Sequence, residues 1–228
     1  MRRRGLPVLV LILAALVCLA PGVRAADAGA RSKPRVFLGV SVFDMKLDID
    51  STMDIAGPTR FFSSRHTLYA GGRIMVHSGR PFGKTFYIGQ FAGFGWGKNG
   101  FLLNWETPGL ISYEPLEADI TFGYLPFGVD FNLVVADILQ LSAFVSAKWM
   151  FQKLTIEIDG DEFDGKSSKL VGAVGGMAAI DLGGLTLSAG AGLNHFVNAK
   201  VEWDVDDITF DSEHTKPSVE YFAGVILQ

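Results

Sequence analysis

The sequence predicts an all-β protein whose eight antiparallel strands close into an up-and-down transmembrane β-barrel. Three observations predict this fold class. The chain opens with an export signal, its later segments alternate apolar and polar residues over unusual lengths, and the connections between those segments alternate between short and long. Long two-faced strands with short turns at one end and long loops at the other are typical of barrels with lipid outside and a polar lumen.

Residues 1–25 have the composition of a secretory signal peptide. Arginines at positions 2 to 4 precede an apolar run from Leu6 to Ala20, and Val23-Arg24-Ala25 resembles a signal-peptidase site. The apolar run is shorter than the roughly 20 residues that a membrane-spanning helix needs. We therefore expect cleavage near Ala25, followed by a short polar leader over residues 26–34 and a barrel domain over residues 35–228.

The charge balance and the single cysteine exclude several kinds of protein. The whole chain has 20 basic and 24 acidic residues, and the signal peptide takes four of the basic ones, which leaves 16 against 24 and a net charge of −8. An acidic exported chain argues against a nucleic-acid partner, because phosphate binding needs clustered lysine and arginine. Cys18 lies in the signal peptide, so we expect neither disulfides nor thiol chemistry, and no motif indicates a cofactor.

Eight candidate strands follow the leader. In order they are 35–49, 63–77, 84–97, 113–135, 139–158, 168–181, 185–204 and 215–228. The connections 78–83, 136–138 and 182–184 are short, whereas 50–62, 98–112, 159–167 and 205–214 are long and either polar or rich in glycine and proline. An even number of strands places both ends of the barrel on the short-turn side, which is periplasmic in bacterial barrels.

The alternation assigns a lipid face and a lumen face to most of these strands. Apolar or small residues occupy the even positions of 68–76, the odd positions of 139–151 and, apart from His195, the odd positions of 185–203. In 113–135 the apolar parity changes between Tyr124 and Phe127, which predicts a β-bulge at Leu125–Pro126. Strands 36–49 and 168–181 are apolar or small on both faces. The aromatic residues near the two ends of the strands favour two membrane girdles, formed by Trp96, Trp149 and Trp203 and by Phe82, Phe127 and Phe131.

These features together resemble a known family. The export signal, the alternating strands 139–151 and 185–203, and the final strand Val219–Gln228 resemble the small eight-stranded outer-membrane barrels of the outer-membrane protein A transmembrane or opacity-like type. The resemblance implies a protein of the bacterial outer membrane that contacts outer-membrane lipid and lipopolysaccharide and is inserted by the barrel-assembly machinery. We expect it to be a monomer.

Eight charged residues are expected to face the lumen. An eight-stranded barrel has an interior just wide enough for side chains to fill, so buried charges there must pair with one another or with trapped water. We interpret them as a structural network that plugs the lumen, and a gated pore or a polar ligand site is the alternative. The residues are Arg65, Arg73, Glu117, Asp119, Asp130, Lys148, Lys200 and Glu202.

The sequence contains no convincing catalytic or metal site. His77 and Ser78 are adjacent and point to opposite faces of a strand, so they do not form a nucleophile–base pair. His66 is better placed for lipid chemistry, but Thr67 and Leu68 follow it instead of the His-x-Ser pattern that lipid A deacylase barrels carry. The acidic segments lack a calcium-loop spacing and are expected to be solvated: Asp159–Asp164 and Asp204–Asp207, with Asp211 and Glu213.

We therefore expect a non-enzymatic outer-membrane protein with a structural or surface-interaction role carried by its long loops. Three alternatives remain open on the sequence. An enzyme that modifies lipid A in the outer leaflet would use a residue such as His66, and a narrow pore would conduct ions through the lumen. A soluble periplasmic barrel of the lipocalin type would invert the faces and place the apolar side chains inside.

Overall fold

The described part of the chain consists of β-strands and their turns. The computed structural model describes residues 35–54, 58–82, 85–106, 115–135, 138–158, 160–182, 185–197, 200–205, 208–214 and 217–227, so the predicted signal peptide and leader lie outside it. No helix in these ranges is long and apolar enough to cross a membrane. The strands are β1 (Arg35–Asp54), β2 (Pro58–Phe82), β3 (Phe86–Glu106), β4 (Leu116–Val135), β5 (Leu139–Ile158), β6 (Asp161–Asp181), β7 (Thr186–Phe196), β8 (Lys200–Val205), β9 (Ile208–His214) and β10 (Ser218–Leu227).

Eight of these strands close into an antiparallel ring, which confirms the predicted fold class. The order is β1 to β7 in sequence, then β10, and β10 pairs back onto β1. The closing ladder runs from Val36 opposite Leu227 to Asp44 opposite Val219. The connections β2–β3, β4–β5 and β6–β7 are at the short-turn end of the ring, and β1–β2, β3–β4 and β5–β6 are at the opposite, long-loop end.

The predicted single strand 185–204 is wrong, because the structure divides it into β7 and β8. Strand β7 pairs with β10 as far as Asn194 opposite Ser218. Beyond that point β8 and β9 form a hairpin, in which β9 pairs with β1 and β8 touches β6 at Lys166 opposite Asp204. The hairpin thus completes the wall above β7 and β10, where the sequence predicted a loop over 205–214. The alternation of apolar and polar residues continues from β7 into β8. It therefore gives no sign that the pairing partner changes from β10 to β9.

Three other predicted long loops are largely strand. The ladder between β1 and β2 continues to Asp54 opposite Pro58, inside the predicted loop 50–62. The ladder between β5 and β6 continues to Ile158 opposite Asp161, at the edge of the predicted loop 159–167, and Gly160 in the turn has a φ of 90°. Glycine tolerates positive φ, which a tight hairpin turn of this kind requires. Polar residues at these strand ends reflect exposure to water, since strand pairing itself does not need lipid.

The predicted bulge at Leu125–Pro126 is also absent. Strand β4 pairs with β5 in one unbroken register from Ala118 opposite Ile156 to Val135 opposite Leu139. On the other side, the ladder with β3 is interrupted beside Pro126 and resumes in the same register, as expected for a residue without a backbone N–H. The parity of β4 is therefore constant, and the change in polarity between Tyr124 and Phe127 needs another explanation.

That explanation is an inversion of the two faces of the wall. Along β4, Ile120, Phe122 and Tyr124 are buried inside the ring, whereas Leu125 and Val129 are exposed on the outside. Strand β5 changes in the same way, because Phe151 is exposed and Leu154 is buried. Near the short-turn end the outside is apolar, and near the long-loop end the inside is apolar.

Taken over all strands, the interior contains an apolar cluster at each end of the barrel. The upper cluster, at the long-loop end, includes Phe43, Met45, Tyr69, Ile120, Phe122, Tyr124, Met150, Leu154 and Phe196. The lower cluster, at the short-turn end, includes Phe37, Met75, Phe91, Met177, Phe222 and Ile226. An interior filled in this way at the long-loop end is that of a water-soluble β-structure.

Candidate functional site

The two apolar clusters are separated by a layer of buried charges. Glu220 on β10 accepts hydrogen bonds from Arg73 on β2, at 3.1 Å, and from Lys148 on β5. Tyr124 donates to the same carboxylate at 3.2 Å. The side chains of Arg73, Lys148 and Glu220 are 5%, 3% and 1% exposed, so the ions are nearly withdrawn from water. We call Arg73, Lys148, Glu220 and Tyr124 the ionic layer.

Lys148 connects this layer to further polar side chains. Its ammonium donates to the Oδ1 atom of Asn194 at 2.7 Å, and Asn194 in turn donates to Ser218 at 3.2 Å. All of these side chains are buried. Two cations and one carboxylate share the layer, and a buried charge of this kind is tolerated only when hydrogen bonds surround it.

Aromatic rings cover the ionic layer on both sides. The guanidinium carbon of Arg73 lies 4.2 Å from the centre of the Phe222 ring on the short-turn side. On the other side the Lys148 ammonium lies 5.4 Å from the rings of Phe43 and Tyr124. Cations over aromatic faces are stabilised by the ring quadrupole, most strongly where water is excluded. The rings therefore shield the charges from water and occupy the lumen.

The rings on the short-turn side form a chain across the barrel. Phe37 contacts Phe222, Phe222 contacts Phe144, Phe144 contacts Phe91, and Phe91 stacks on His77, with centroid separations of 5.3 to 6.3 Å. These five residues come from strands β1, β10, β5, β3 and β2. A chain of rings that reaches across the barrel interior in this way fills the lumen with side chains.

A second polar group lies nearer the short-turn end. The Nδ1 atom of His77 is 3.2 Å from the Oδ2 atom of Asp130, and both side chains are largely buried. The other atoms of the pair, His77 Nε2 and Asp130 Oδ1, have no hydrogen-bond partner among the described residues. The group therefore joins β2 to β4 across β3.

The outer wall has an apolar belt that covers the short-turn end and the middle of the barrel. Its side chains are exposed although they are large and hydrophobic, and a soluble monomer rarely shows such a continuous band. The belt includes Leu38, Val40, Ile74, Val76, Phe94, Trp96, Leu125, Val129, Phe131, Leu133, Leu141, Val145, Phe151, Val174, Ile180, Leu187, Leu193 and Tyr221.

Above the belt, toward the long loops, the outer wall is charged. Lys98 pairs with Asp119 and Lys153 pairs with Asp164, each at 2.8 Å. Hydrogen bonds from Lys153 and Thr155 hold the pKa of Asp164 below its ordinary value. These pairs are exposed, so each contributes little to the free energy of unfolding.

The rim of the wall has a tighter ion pair. Arg60 on β2 binds both carboxylate oxygens of Asp50 on β1, with Nε 2.7 Å from Oδ1 and Nη2 2.8 Å from Oδ2. This bidentate hydrogen bonding lowers the pKa of Asp50 and raises that of Arg60. Arg60 also reaches Glu106 on β3, so a single guanidinium links three strands at the long-loop end.

The structure brings some of the predicted lumen charges together and separates others. Arg73 and Lys148 meet at Glu220, while Asp130 pairs with His77 instead. The inward placement of Glu117 and Asp119 is wrong, because both face outward on the upper part of β4, where the apolar residues point inside. The side chains of Arg65, Lys200 and Glu202 lie outside the described part of the structure, as does that of His66.

Sequence reasoning missed the central carboxylate. Glu220 stands on the inward face of the final strand, between Ser218 and Phe222, and its neighbour Tyr221 is exposed on the outside. A lone charge at an inward position of an otherwise apolar strand is the signal that identifies it. Sequence reasoning also missed the hydrogen bonds of His77 and Tyr124. Parity assigns each residue to a face of its strand, but their partners, Asp130 and Glu220, come from other strands across the barrel.

Comparison with known proteins supports the fold alone. No family model and no curated protein matches the chain. Among solved structures, it is similar to the outer-membrane protease OmpT of Escherichia coli, with a TM-score of 0.50, 5% identity, and coverage of 89% of this chain and 98% of that one. For OprG of Pseudomonas aeruginosa the TM-score is 0.47 and the identity 10%, with coverage of 85% of this chain and 94% of OprG. For the attachment invasion locus protein Ail of Yersinia pestis the TM-score is 0.44 and the identity 12%, with coverage of 86% of this chain and 99% of Ail.

Proposed function

We propose that this chain is an integral β-barrel of the bacterial outer membrane, with a closed lumen and a structural or surface-interaction role. The observation that carries the proposal is the apolar belt. On β5 it extends over outward positions of 139–151, a span that corresponds to a height of about 30 Å at a rise of about 3.3 Å per residue and a tilt near 40°. That height matches the hydrocarbon core of a bilayer.

The closed lumen argues against the alternative of a narrow pore. The ionic layer lies between two aromatic layers, and ions that passed through would have to displace rings packed from several strands. We therefore propose that the barrel does not conduct. In planar bilayers the purified protein should show no discrete channel steps, and discrete steps from the wild-type protein would overturn the proposal of a closed lumen.

The absence of enzymatic activity is also part of the proposal. Ser78 follows His77, and the described partner of His77 is Asp130, inside the barrel and toward the short-turn end. A lipid A-modifying activity would require a residue near the long loops, such as His66. Because OmpT is a protease, the shared fold leaves the question to experiment. Incubation with purified lipid A should leave its mass unchanged; a deacylated product that His66→Ala eliminates would show an enzyme.

The long-loop end supports a role in surface interaction. Its wall is a folded extension beyond the belt, with the upper apolar cluster inside and charged side chains outside. This extension would raise the loops and the β8–β9 hairpin above the lipid. The partners we propose are outer-membrane lipid, lipopolysaccharide and the barrel-assembly machinery, and we propose a monomer exported by a signal peptide cleaved near Ala25.

Membrane fractionation tests the core of the proposal. The full chain, expressed in a Gram-negative host, should be recovered in the outer-membrane fraction and should migrate differently on a gel before and after boiling, because a folded barrel resists detergent. Recovery in the soluble fraction, with identical migration in both samples, would overturn the proposal.

A further inference from the structure

We propose that the outer wall formed by β3, β4, β5 and β6 binds one anionic membrane lipid, with its phosphate on a row of lysines and an acyl chain in the notch beneath. The inference rests on the proposed function, since it requires a bilayer around the belt. It assigns a specific ligand to one sector of that belt.

The lysines lie in one row across four neighbouring strands. Lys98 is opposite Thr121, Thr121 is opposite Lys153, and Lys153 is opposite Lys166. All four side chains point outward, and directly opposed residues on paired strands are about 5 Å apart. Thr121 thus lies between two lysines, and a third lysine follows. Ammonium and hydroxyl groups at this spacing are hydrogen-bond donors for phosphate oxygens.

The row sits immediately above the belt. On β3 and β5, the lysines are the next outward residues after the exposed aromatic residues Trp96 and Phe151. On β6, Lys166 follows Leu170 and Ser168 on the same face. Lysine side chains at this depth extend their ammonium groups toward the level of the lipid headgroups.

The row brings three cations together with only two neighbouring carboxylates. Lys153 and Lys166 are directly opposed on paired strands, where like charges repel, and Asp164 interacts with both and offsets part of this repulsion. Asp119 pairs with Lys98, and Asp164 pairs with Lys153. An ammonium has three N–H donors, so both lysines keep donors free for an anion that approaches from the belt.

An apolar notch lies directly beneath Thr121. The next outward residue on β4 is Gly123, which is opposite Trp96 on one side and Phe151 on the other. The indole of Trp96 turns away over Gly72 of β2, and the Phe94 ring lies 3.5 Å from the position that a Cβ atom at Gly123 would take. The space over Gly123 is therefore bounded by Phe94 on the β3 side, and Phe151 is the opposed residue on the β5 side. A notch of this shape below a cationic row fits a lipid, which has an acyl chain attached beneath its phosphate.

The charges above the row disfavour a soluble anion. Glu117, Glu157 and Glu162 line a depression toward the long loops, and Glu157 and Glu162 are directly opposed. An anion arriving from water would cross this carboxylate band, whereas a lipid reaches the lysines laterally through the bilayer. We therefore commit to a membrane lipid as the occupant.

Native mass spectrometry of the full-length barrel tests the inference. The protein is released from nanodiscs that contain equal amounts of phosphatidylglycerol and phosphatidylcholine, and the retained lipid is counted. Wild type should retain phosphatidylglycerol preferentially. Lys98→Gln with Lys153→Gln should lower the preference about thirtyfold, since each of the two lysines near an anionic surface contributes on the order of 1 kcal/mol. Gly123→Val should lower retention with every charge intact, because its side chain fills the notch.

Lys46→Gln is the matched control, since Lys46 points outward on β1, pairs with Asp48 and lies outside the row. It should leave the preference unchanged. Equal losses in Lys46→Gln and in the double variant would overturn the inference, and so would displacement of the lipid by inorganic phosphate. A barrel that inserts and shows the heat-dependent gel shift, yet retains both lipids equally, refutes the lipid site and leaves the proposed function intact; failure to insert refutes the proposed function itself. Should the double variant not fold, the wild-type preference must still fall as salt rises from about 0.05 to 0.5 M.

Discussion

The Nδ1 atom of His77 lies 3.2 Å from the Oδ2 atom of Asp130, although the two residues belong to β2 and β4 and strand β3 runs between them. Gly89 makes this contact possible. It is the β3 residue opposite Asp130, and a Cβ atom at Gly89 would collide with the Asp130 Oδ1 atom. A missing side chain on the middle strand therefore lets the outer two strands interact.

Gly89→Ala should destabilise the barrel, because the added methyl group displaces the Asp130 carboxylate and leaves it without His77. We expect a loss of about 1 to 3 kcal/mol in the free energy of unfolding, measured by urea titration in detergent micelles. Gly176→Ala is the control, since its Cβ would approach only the Ser142 carbonyl oxygen, at 3.4 Å. Equal losses in the two variants would show that the His77–Asp130 contact does not depend on Gly89.

Glu220→Gln should be among the most destabilising conservative changes in the lumen. It removes the carboxylate that Arg73 and Lys148 share and leaves two buried cations without a counter-charge. Removing one partner of a buried ion pair costs about 3 to 5 kcal/mol. The same substitution at the exposed Glu106, which also contacts an arginine, should cost less than about 1 kcal/mol. Similar values at both sites would mean that the ionic layer is hydrated.

Cysteine labelling should locate the inversion of the wall. In a Cys18→Ser background, Asp119→Cys should react with a membrane-impermeant maleimide on intact cells, because residue 119 points outward above the belt. Val129→Cys, on the same face of β4, should be protected by lipid, and Ile120→Cys should be protected inside the barrel. Labelling at 129 but not at 119 would contradict the placement of the membrane.

Lys153→Gln should raise the pKa of Asp164 toward its ordinary value of 3.8, since hydrogen bonding from Lys153 is the largest cause of its depression. A carboxylate whose pKa is lowered in the folded state stabilises that state above the unfolded pKa. This contribution is lost as the pH falls through the lowered, folded pKa. The Asp164 carboxyl carbon, followed by NMR between about pH 2 and 6, measures the shift. An unchanged midpoint in the variant would assign the depression to Thr155 instead.

Several elements could be predicted from local pattern. Strand 139–158 was predicted with the bounds that β5 has, because its alternation is regular. Arg73 and Lys148 were assigned to the lumen for the same reason. The alternation misled on β4. There the apolar residues lie on the inward face near the long loops and on the outward face near the short turns, which in the sequence resembles a one-residue bulge. Glu117 and Asp119 were therefore predicted on the wrong face.

The sequence by itself determined that the chain is a closed two-faced barrel, because alternation and turn spacing are local properties of each strand. The tertiary structure decided which charges meet, since Arg73, Lys148 and Glu220 come from strands far apart in the chain and are joined only by closure of the ring. It also decided where the faces invert. Whether an outward residue contacts lipid or water depends on its height along the barrel axis, and that height follows from the register of all eight strands together.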